Sequence, residues 1–166
     1  MTTPFDQPIE HMLDRRVLKT IIVKASAERA FRVFTEEIDT WWPRTHNIGK
    51  GILLRTCIEG SAGGRCYNEQ TDGTRCDWGT ILVWEPPYRF VMAWQIGPQW
   101  QYEPDLAKSS EVEVRFTPED GGTTRVDLEH RCFNRHGDGG DDMRTAVESP
   151  MGWDGLLRFY AARLDL

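Results

Sequence analysis

The sequence has no long apolar run, no cluster of basic residues and no closely spaced pair of cysteines. Its longest apolar stretches are a few residues, as in Ile81-Leu82-Val83-Trp84, whereas a membrane-spanning helix needs about twenty. The opening Met1-Thr2-Thr3-Pro4-Phe5-Asp6 lacks a basic start followed by an apolar stretch, so no secretory signal is expected and a cytoplasmic location follows by default. Net charge is −6 with both signs interspersed. That balance argues against a nucleic-acid binder, whose affinity rests on neutralising phosphates. The four cysteines, Cys57, Cys66, Cys76 and Cys132, form no C-x-x-C pair, so they read as small buried apolar groups and no metal site is expected. Nucleophile elbow, phosphate loop and dinucleotide fingerprint are also missing, and no cofactor is expected. Gly137 to Gly140 lacks the fingerprint spacing and reads as a turn.

What is abundant is tryptophan, with seven in 166 residues. An indole is large, and its N–H wants a partner when buried. Many of these side chains must therefore meet in one place.

Hydrophobic residues make up 39% and charged residues 28%, which fits one globular domain with a real core. Residues 1–16 read as a flexible lead-in and 17–166 as the domain. Val17 to Lys24 reads as a strand. Ser26 is a good helix N-cap, and Ala30, Phe31, Phe34 and Ile38 follow at helical spacing until Trp41-Trp42-Pro43 breaks the pattern. From Ile52 to Phe133 the signal is β: strands over 52–58, 65–70, 76–85, 88–96, 110–117 and 123–133. Turn signals separate them at Gly63-Gly64, Asp72-Gly73, Pro86-Pro87 and Gly121-Gly122. Even positions carry Trp78, Leu82, Trp84, Phe90, Met92, Trp94, Val112, Val114, Phe116, Val126, Leu128, His130 and Cys132, while odd positions of the last hairpin are charged. A sheet with one dry face and one wet face follows. Ile81, Val83, Val91 and Ala93 make the middle of the outer face apolar, which points to a cover there or to a homodimer contact. Asp141 or Asp142 is expected to cap a short helix ending near Glu148. Ser149-Pro150 then opens a helix whose stripe is Trp153, Leu156, Leu157, Tyr160 and Leu164. The predicted class is α+β, a curved antiparallel sheet of six to seven strands wrapped around a long C-terminal helix, with two short helices after the first strand.

This order of elements resembles the helix-grip fold of the START and birch-pollen-allergen (SRPBCC) superfamily. Within it, the chain resembles the branch typified by the activator of the ninety-kilodalton heat-shock-protein ATPase, and an uncharacterised bacterial subgroup of it. The matching stretches are Ile22 to Phe31, Gly63-Gly64-Arg65-Cys66-Tyr67, Trp78-Gly79-Thr80-Ile81-Leu82, Glu85-Pro86-Pro87 with Trp94, Gly152 to Leu157, and Trp41-Trp42-Pro43 with His46. Ala27 stands where many members carry proline. The resemblance implies the fold more strongly than any activity, since the superfamily includes carriers, cyclases and cochaperone domains.

A grasping sheet of this kind commonly leaves a hollow against its terminal helix. The candidate lining is Trp41, Trp42, His46, Tyr67, Glu69, Trp78, Trp84, Phe90, Trp94, His130, Trp153, Leu156 and Tyr160, with a closed core as the alternative. His130 shares the inward phase of Val126 and Leu128, and Glu69 faces inward if Tyr67 does. These two are the candidates for proton transfer. The expected function is binding of a small hydrophobic or aromatic molecule rather than catalysis. A cofactor-free cyclase or dehydratase using the same cavity, and a chaperone-associated domain, are the rivals.

Overall fold

The structure, a computed structural model, describes residues 15–166, so the expected lead-in lies almost wholly outside the described residues. Among the described residues seven strands run β1 Val17–Val23, β2 Leu53–Ile58, β3 Arg65–Gln70, β4 Arg75–Glu85, β5 Arg89–Trp94, β6 Ser110–Glu119 and β7 Thr123–Arg131. The helices are α1 Ala27–Thr35, α2 Gly140–Glu148 and α3 Gly155–Leu164, with a short 3₁₀ turn Ile38–Thr40 after α1. All strand pairs are antiparallel, in the order β1-β7-β6-β5-β4-β3-β2. Chain order is kept from β2 to β7, and β1 closes the far edge. This is the helix-grip arrangement.

Local chemistry accounts for the boundaries. Ser26 accepts the Arg29 N–H at 3.2 Å and caps α1 as expected. At the β3–β4 hairpin, Asp72 accepts the Thr74 N–H at 2.8 Å while Gly73 takes φ +89°, a conformation that side chains with a Cβ resist. The last hairpin keeps strict period two, with Val112, Val114, Phe116, Val126, Leu128 and His130 buried.

β4 departs from the expected phase. Its register against β5 slips between Ile81 and Val83, so Leu82 is an extra residue in the ladder. The bulge turns Leu82 outward (38% exposed) and Ile81 into the core (1% exposed), the reverse of the even-position expectation. A second slip, against β3, leaves Trp78 between the paired Asp77 and Gly79. Trp78 and Trp84 are thereby both directed inward although the strand between them is irregular. On the outer face Val91 and Ala93 are buried within the chain itself. Just beyond them, the Gln95 amide holds the returning segment by donating to the Glu103 carbonyl at 3.2 Å.

The C-terminal stripe is buried as expected: Trp153, Leu156, Leu157, Tyr160 and Leu164. The entry to the helix is different. Pro150–Asp154 forms one wide turn in which Gly152 leaves helical geometry (φ −91°, ψ −132°). A Cβ on Gly152 would lie 2.2 Å from the Val147 carbonyl, so the chain can pass this close to the end of α2 only as glycine. Gly139, not an aspartate, precedes α2, and Asp141 and Asp142 sit in its first turn, where they still favour the helix dipole.

The helices do not cover the sheet evenly. α1 packs on β6 and β7, and α3 on α1 and β1. Beneath them Phe31, Phe34, Phe90, Phe116 and Tyr160 form edge-to-face and tilted contacts with centroids 4.9 to 5.9 Å apart. Tyr160 donates its hydroxyl to the Ala30 carbonyl at 2.7 Å, tying α3 to α1. Among the described residues no long helix lies above the β3–β5 side, and there the interior opens.

Candidate functional site

The opening is a cavity of about 450 Å³, lined by Trp42, Thr45, His46, Asn47, Ile48, Asn68, Trp78, Trp94, Ile96, Trp100, Ala146, Val147, Ser149, Met151, Gly152 and Leu156. Four parts build it, one of them the segment after β5 that carries Ile96 and Trp100. Strands β3, β4 and β5 supply Asn68, Trp78 and Trp94. The loop after Trp42 forms one wall, and the junction between α2 and the wide turn forms the other.

The loop wall is positioned by hydrogen bonds from the sheet. Asp39 accepts the Thr56 N–H at 2.8 Å and pins the segment ahead of the tryptophans to β2. Asn68 accepts the Ile48 N–H at 3.0 Å and donates to Thr56 Oγ1 at 3.0 Å. Asn47 and Gln70 exchange side-chain amide hydrogen bonds at 2.9 and 3.1 Å. These amides fill the inner face of β3 where a closed core would carry apolar groups. The loop is thus fixed against β3 by polar contacts, and the cavity lies beside them.

The tryptophans divide between cavity and core. Trp42 stacks on Trp78 with centroids 5.6 Å apart and planes 12° from parallel, and Trp94 meets Trp78 edge-on at 6.0 Å. Trp41 turns away and donates its N–H to the Val33 carbonyl at 2.8 Å. Trp84, Phe90 and Tyr160 belong to the packed aromatic core around Phe31 and Phe34. Trp153 lies behind the cavity, against Trp94 and His130. Trp100 and Met151 are exposed at the mouth. Trp100 holds a left-handed φ of +59°, unusual for a bulky side chain.

Of the ionisable candidates, only His46 lines the cavity. It sits at the rim beside Trp42, with ring centroids 5.8 Å apart, and partial burial lowers its pKa. His130 is fully buried behind the wall. Burial, and then the neighbouring His136, hold its pKa well below the usual histidine value. The condition placed on Tyr67 is not met. In β3 the buried set is Cys66, Asn68 and Gln70, so Tyr67 and Glu69 lie on the outer face. There Glu69 pairs with Arg55, and the Arg75 guanidinium lies 3.7 Å from the centre of the Tyr67 ring. The charged odd positions Arg65 and Glu69 carried the signal for this phase, because neutral amides are the cheaper groups to bury. Asn47, Ile48, Asn68, Ile96, Val147 and Met151 were not foreseen as lining residues. No periodic signal marks residues brought together from two loops, one strand and a helix junction.

Residues 24–158 match the family described as Activator of Hsp90 ATPase homolog 1-like protein, and the chain belongs to that family. Among solved structures it is similar to an anthrahydroquino-γ-pyrone synthase, Txn09, at 40% identity over 89% of this chain and 95% of that one, with a TM-score of 0.63. It is similar at 26% identity to CalC, a self-sacrificing resistance protein from Micromonospora echinospora, covering 90% and 94% of the chains with a TM-score of 0.64. Protein MLL2253 from Mesorhizobium loti shares the fold at 18% identity and a TM-score of 0.64, over 90% and 96% of the chains. No curated protein matches the sequence.

Proposed function

We propose that this protein binds a small planar aromatic molecule in the cavity between β3–β5 and the 42–48 loop. The observation that carries the reading is the wall itself: Trp42, Trp78 and Trp94 converge on an open space of about 450 Å³ instead of packing it shut. Indole faces offer flat apolar area with little side-chain entropy to lose, which suits a flat ligand. The test is a titration of tricyclic aromatics followed by tryptophan fluorescence, repeated on Trp42→Ala. Saturable quenching that weakens at least tenfold in the variant supports the reading, and no saturation with any planar ligand refutes it.

A second reading, a ring-closing enzyme without a cofactor, is favoured by the 40% identity with the γ-pyrone synthase over nearly its whole length. A cyclisation of this kind needs a group that takes a proton from one oxygen or carbon and returns it to another. Glu69 lies on the wrong face, and the acceptor nitrogen of His130 is occupied by Trp153. His46 is the remaining side chain in the wall able to carry a proton near neutral pH, and its lowered pKa leaves it largely unprotonated there. Once a substrate is in hand, His46→Gln should cut turnover at least a hundredfold with KM little changed, while Glu69→Gln should not. Full activity in His46→Gln removes the proton-transfer role.

A further inference from the structure

Trp100 differs from the other tryptophans of the site. Trp42, Trp78 and Trp94 are buried and meet ring to ring. Trp100 lines the same cavity but is 55% exposed, and among the described residues its side chain has no aromatic neighbour and no hydrogen bond. Its backbone is strained as well. Ile96 and Tyr102 pair across an isolated bridge, the Gly97 N–H donates to the Gln101 carbonyl at 2.8 Å, and the Trp100 N–H donates to the Gly97 carbonyl at 2.8 Å. Residues 98–100 are thus the loop of a tight hairpin whose last position is left-handed, at φ +59°. Glycine ordinarily takes that position, because a side chain with a Cβ resists it.

The hairpin is held on both sides. A Cβ on Gly139 would lie 2.2 Å from Pro98 Cβ, so the segment ahead of α2 passes this close to the hairpin only as glycine. Tyr102 accepts from Arg65, which is itself fixed by Asp77 at 3.1 Å and Thr80 at 2.8 Å. A large indole is therefore set rigidly at the mouth of an aromatic cavity, in a conformation that opposes it and without a partner in the fold. Strain of this kind persists only where the surroundings enforce it, and it clusters at ligand sites.

We propose that Trp100 determines specificity at the mouth: its indole covers the outer part of the ligand, so the cavity prefers planar aromatic molecules long enough to cross the rim over ones enclosed entirely within. The inference rests on the reading of the cavity as a site for planar aromatic molecules, and adds to it the length of molecule that the site takes. A short ligand leaves Trp100 in water, together with Met151, which is 82% exposed at the same mouth. A longer one removes apolar surface of both from water and lies against the indole face. Because the hairpin is already fixed, that contact costs little ordering.

The test uses 2-naphthol and 1-hydroxypyrene, flat phenols of two and four fused rings, in equilibrium dialysis against the intact protein and against Trp100→Gly and Trp100→Ala. A larger ring system enters any apolar site more readily, so the quantity read is the change on substitution. In both variants 1-hydroxypyrene should weaken about tenfold and 2-naphthol by no more than about twofold. Both should melt within about 4 °C of the parent, since the indole has no partner in the fold, and the glycine variant should be the higher of the two. Unchanged affinity for 1-hydroxypyrene overturns the inference, as does an equal loss for both probes. A much larger fall in melting temperature makes Trp100 a packing residue and overturns it too. A parent that binds 2-naphthol but not 1-hydroxypyrene overturns it while leaving the aromatic site standing. If neither probe binds the parent, the aromatic-ligand reading itself fails and the inference falls with it.

Discussion

Trp153 donates its indole N–H to Nδ1 of His130 across 3.1 Å, and this contact fixes the state of the histidine. An indole cannot accept, so Nδ1 must be the bare nitrogen and the proton sits on Nε2. From there it is donated to Ser110 Oγ at 2.8 Å, and Ser110 in turn faces Nε2 of His136 at 2.8 Å. The chain of contacts has one direction: Trp153 to His130 to Ser110 to His136. It joins the C-terminal helix entry to β7, β6 and the segment after β7.

The first prediction concerns pH. The His130 pKa in the fold lies well below the 6.5 of a free side chain, chiefly through burial. Between those two values the unfolded chain binds the proton that the folded chain refuses, so stability rises with pH. The contribution is complete above pH 6.5 and is lost as pH falls below it, with a slope of at most about 1.4 kcal/mol per pH unit. His46 and His136, also lowered by burial, act in the same sense. Urea unfolding at pH 7.5 and pH 5.5 should show a lower midpoint in acid, and His130→Gln should lessen the difference. A flat midpoint across that range contradicts the assignment.

A second prediction separates this contact from the cavity. Trp153→Phe keeps most of the ring packing and deletes the donor, leaving His130 Nδ1 buried without a partner. The expected loss is about 1–3 kcal/mol of unfolding free energy. Binding of a planar aromatic ligand should stay within about threefold of the parent, since Trp153 is behind the wall and not part of it. A loss of binding with unchanged stability would reverse the roles given to Trp153 and Trp78.

The strict alternation of β6 and β7 made their faces legible from sequence, because Val112, Val114 and Phe116 alternate with Glu111, Glu113 and Arg115 without interruption. The stripe from Trp153 to Leu164 was equally plain. β4 was not, because one extra residue at Leu82 inverts the phase, and a bulge leaves no mark on hydrophobic pattern. β3 was ambiguous for a different reason. Its inward set, Cys66, Asn68 and Gln70, is mostly polar, and buried amides look like surface residues until the loop that satisfies them is in place. The cavity was therefore foreseeable in kind from the excess of tryptophan, but not in its lining.

A third prediction tests the charged outer face. Glu113 is 4% exposed and accepts from Arg131 at 2.6 Å, Arg89 at 2.8 Å and Arg115 at 2.6 Å. Burial alone would raise its pKa, but hydrogen bonds from Arg131, Arg89 and Arg115 outweigh that and hold the carboxyl down to about 2. Its register partner on β7 is Glu129, and Arg131 resolves that like-charge pairing by donating to both. Glu113→Gln should cost about 1–3 kcal/mol at pH 7, with part of each arginine pairing retained elsewhere. The sign with pH follows from the depressed value. The ionised carboxylate's contribution is intact above about pH 4.5 and disappears as pH falls toward 2. The gap between the variant and the parent should narrow over that window, and thermal melts at pH 7, 4 and 2.5 measure it.

The last prediction compares two neighbours on opposite faces. Asn68 holds the Ile48 N–H and Thr56 Oγ1 inside the sheet. Glu69, one residue on, meets Arg55 on the outside, where the guanidinium is 56% exposed. An exposed pair of that kind contributes at most about 1 kcal/mol, so Glu69→Gln should leave both stability and ligand affinity near the parent. Asn68→Ala removes a buried amide and leaves the Ile48 N–H without its acceptor, which should cost about 2–3 kcal/mol. It should also release the 45–51 loop, whose residues Thr45 to Ile48 line the cavity, and weaken ligand binding at least tenfold. Hydrogen exchange at Ile48 reads the release directly: exchange should quicken in Asn68→Ala and stay unchanged in Glu69→Gln. If both variants bind ligand as the parent does, the amide cluster is not what keeps the cavity open. The opening must then be carried by the stacked Trp42 and Trp78 rings, which Trp42→Ala would disrupt on its own.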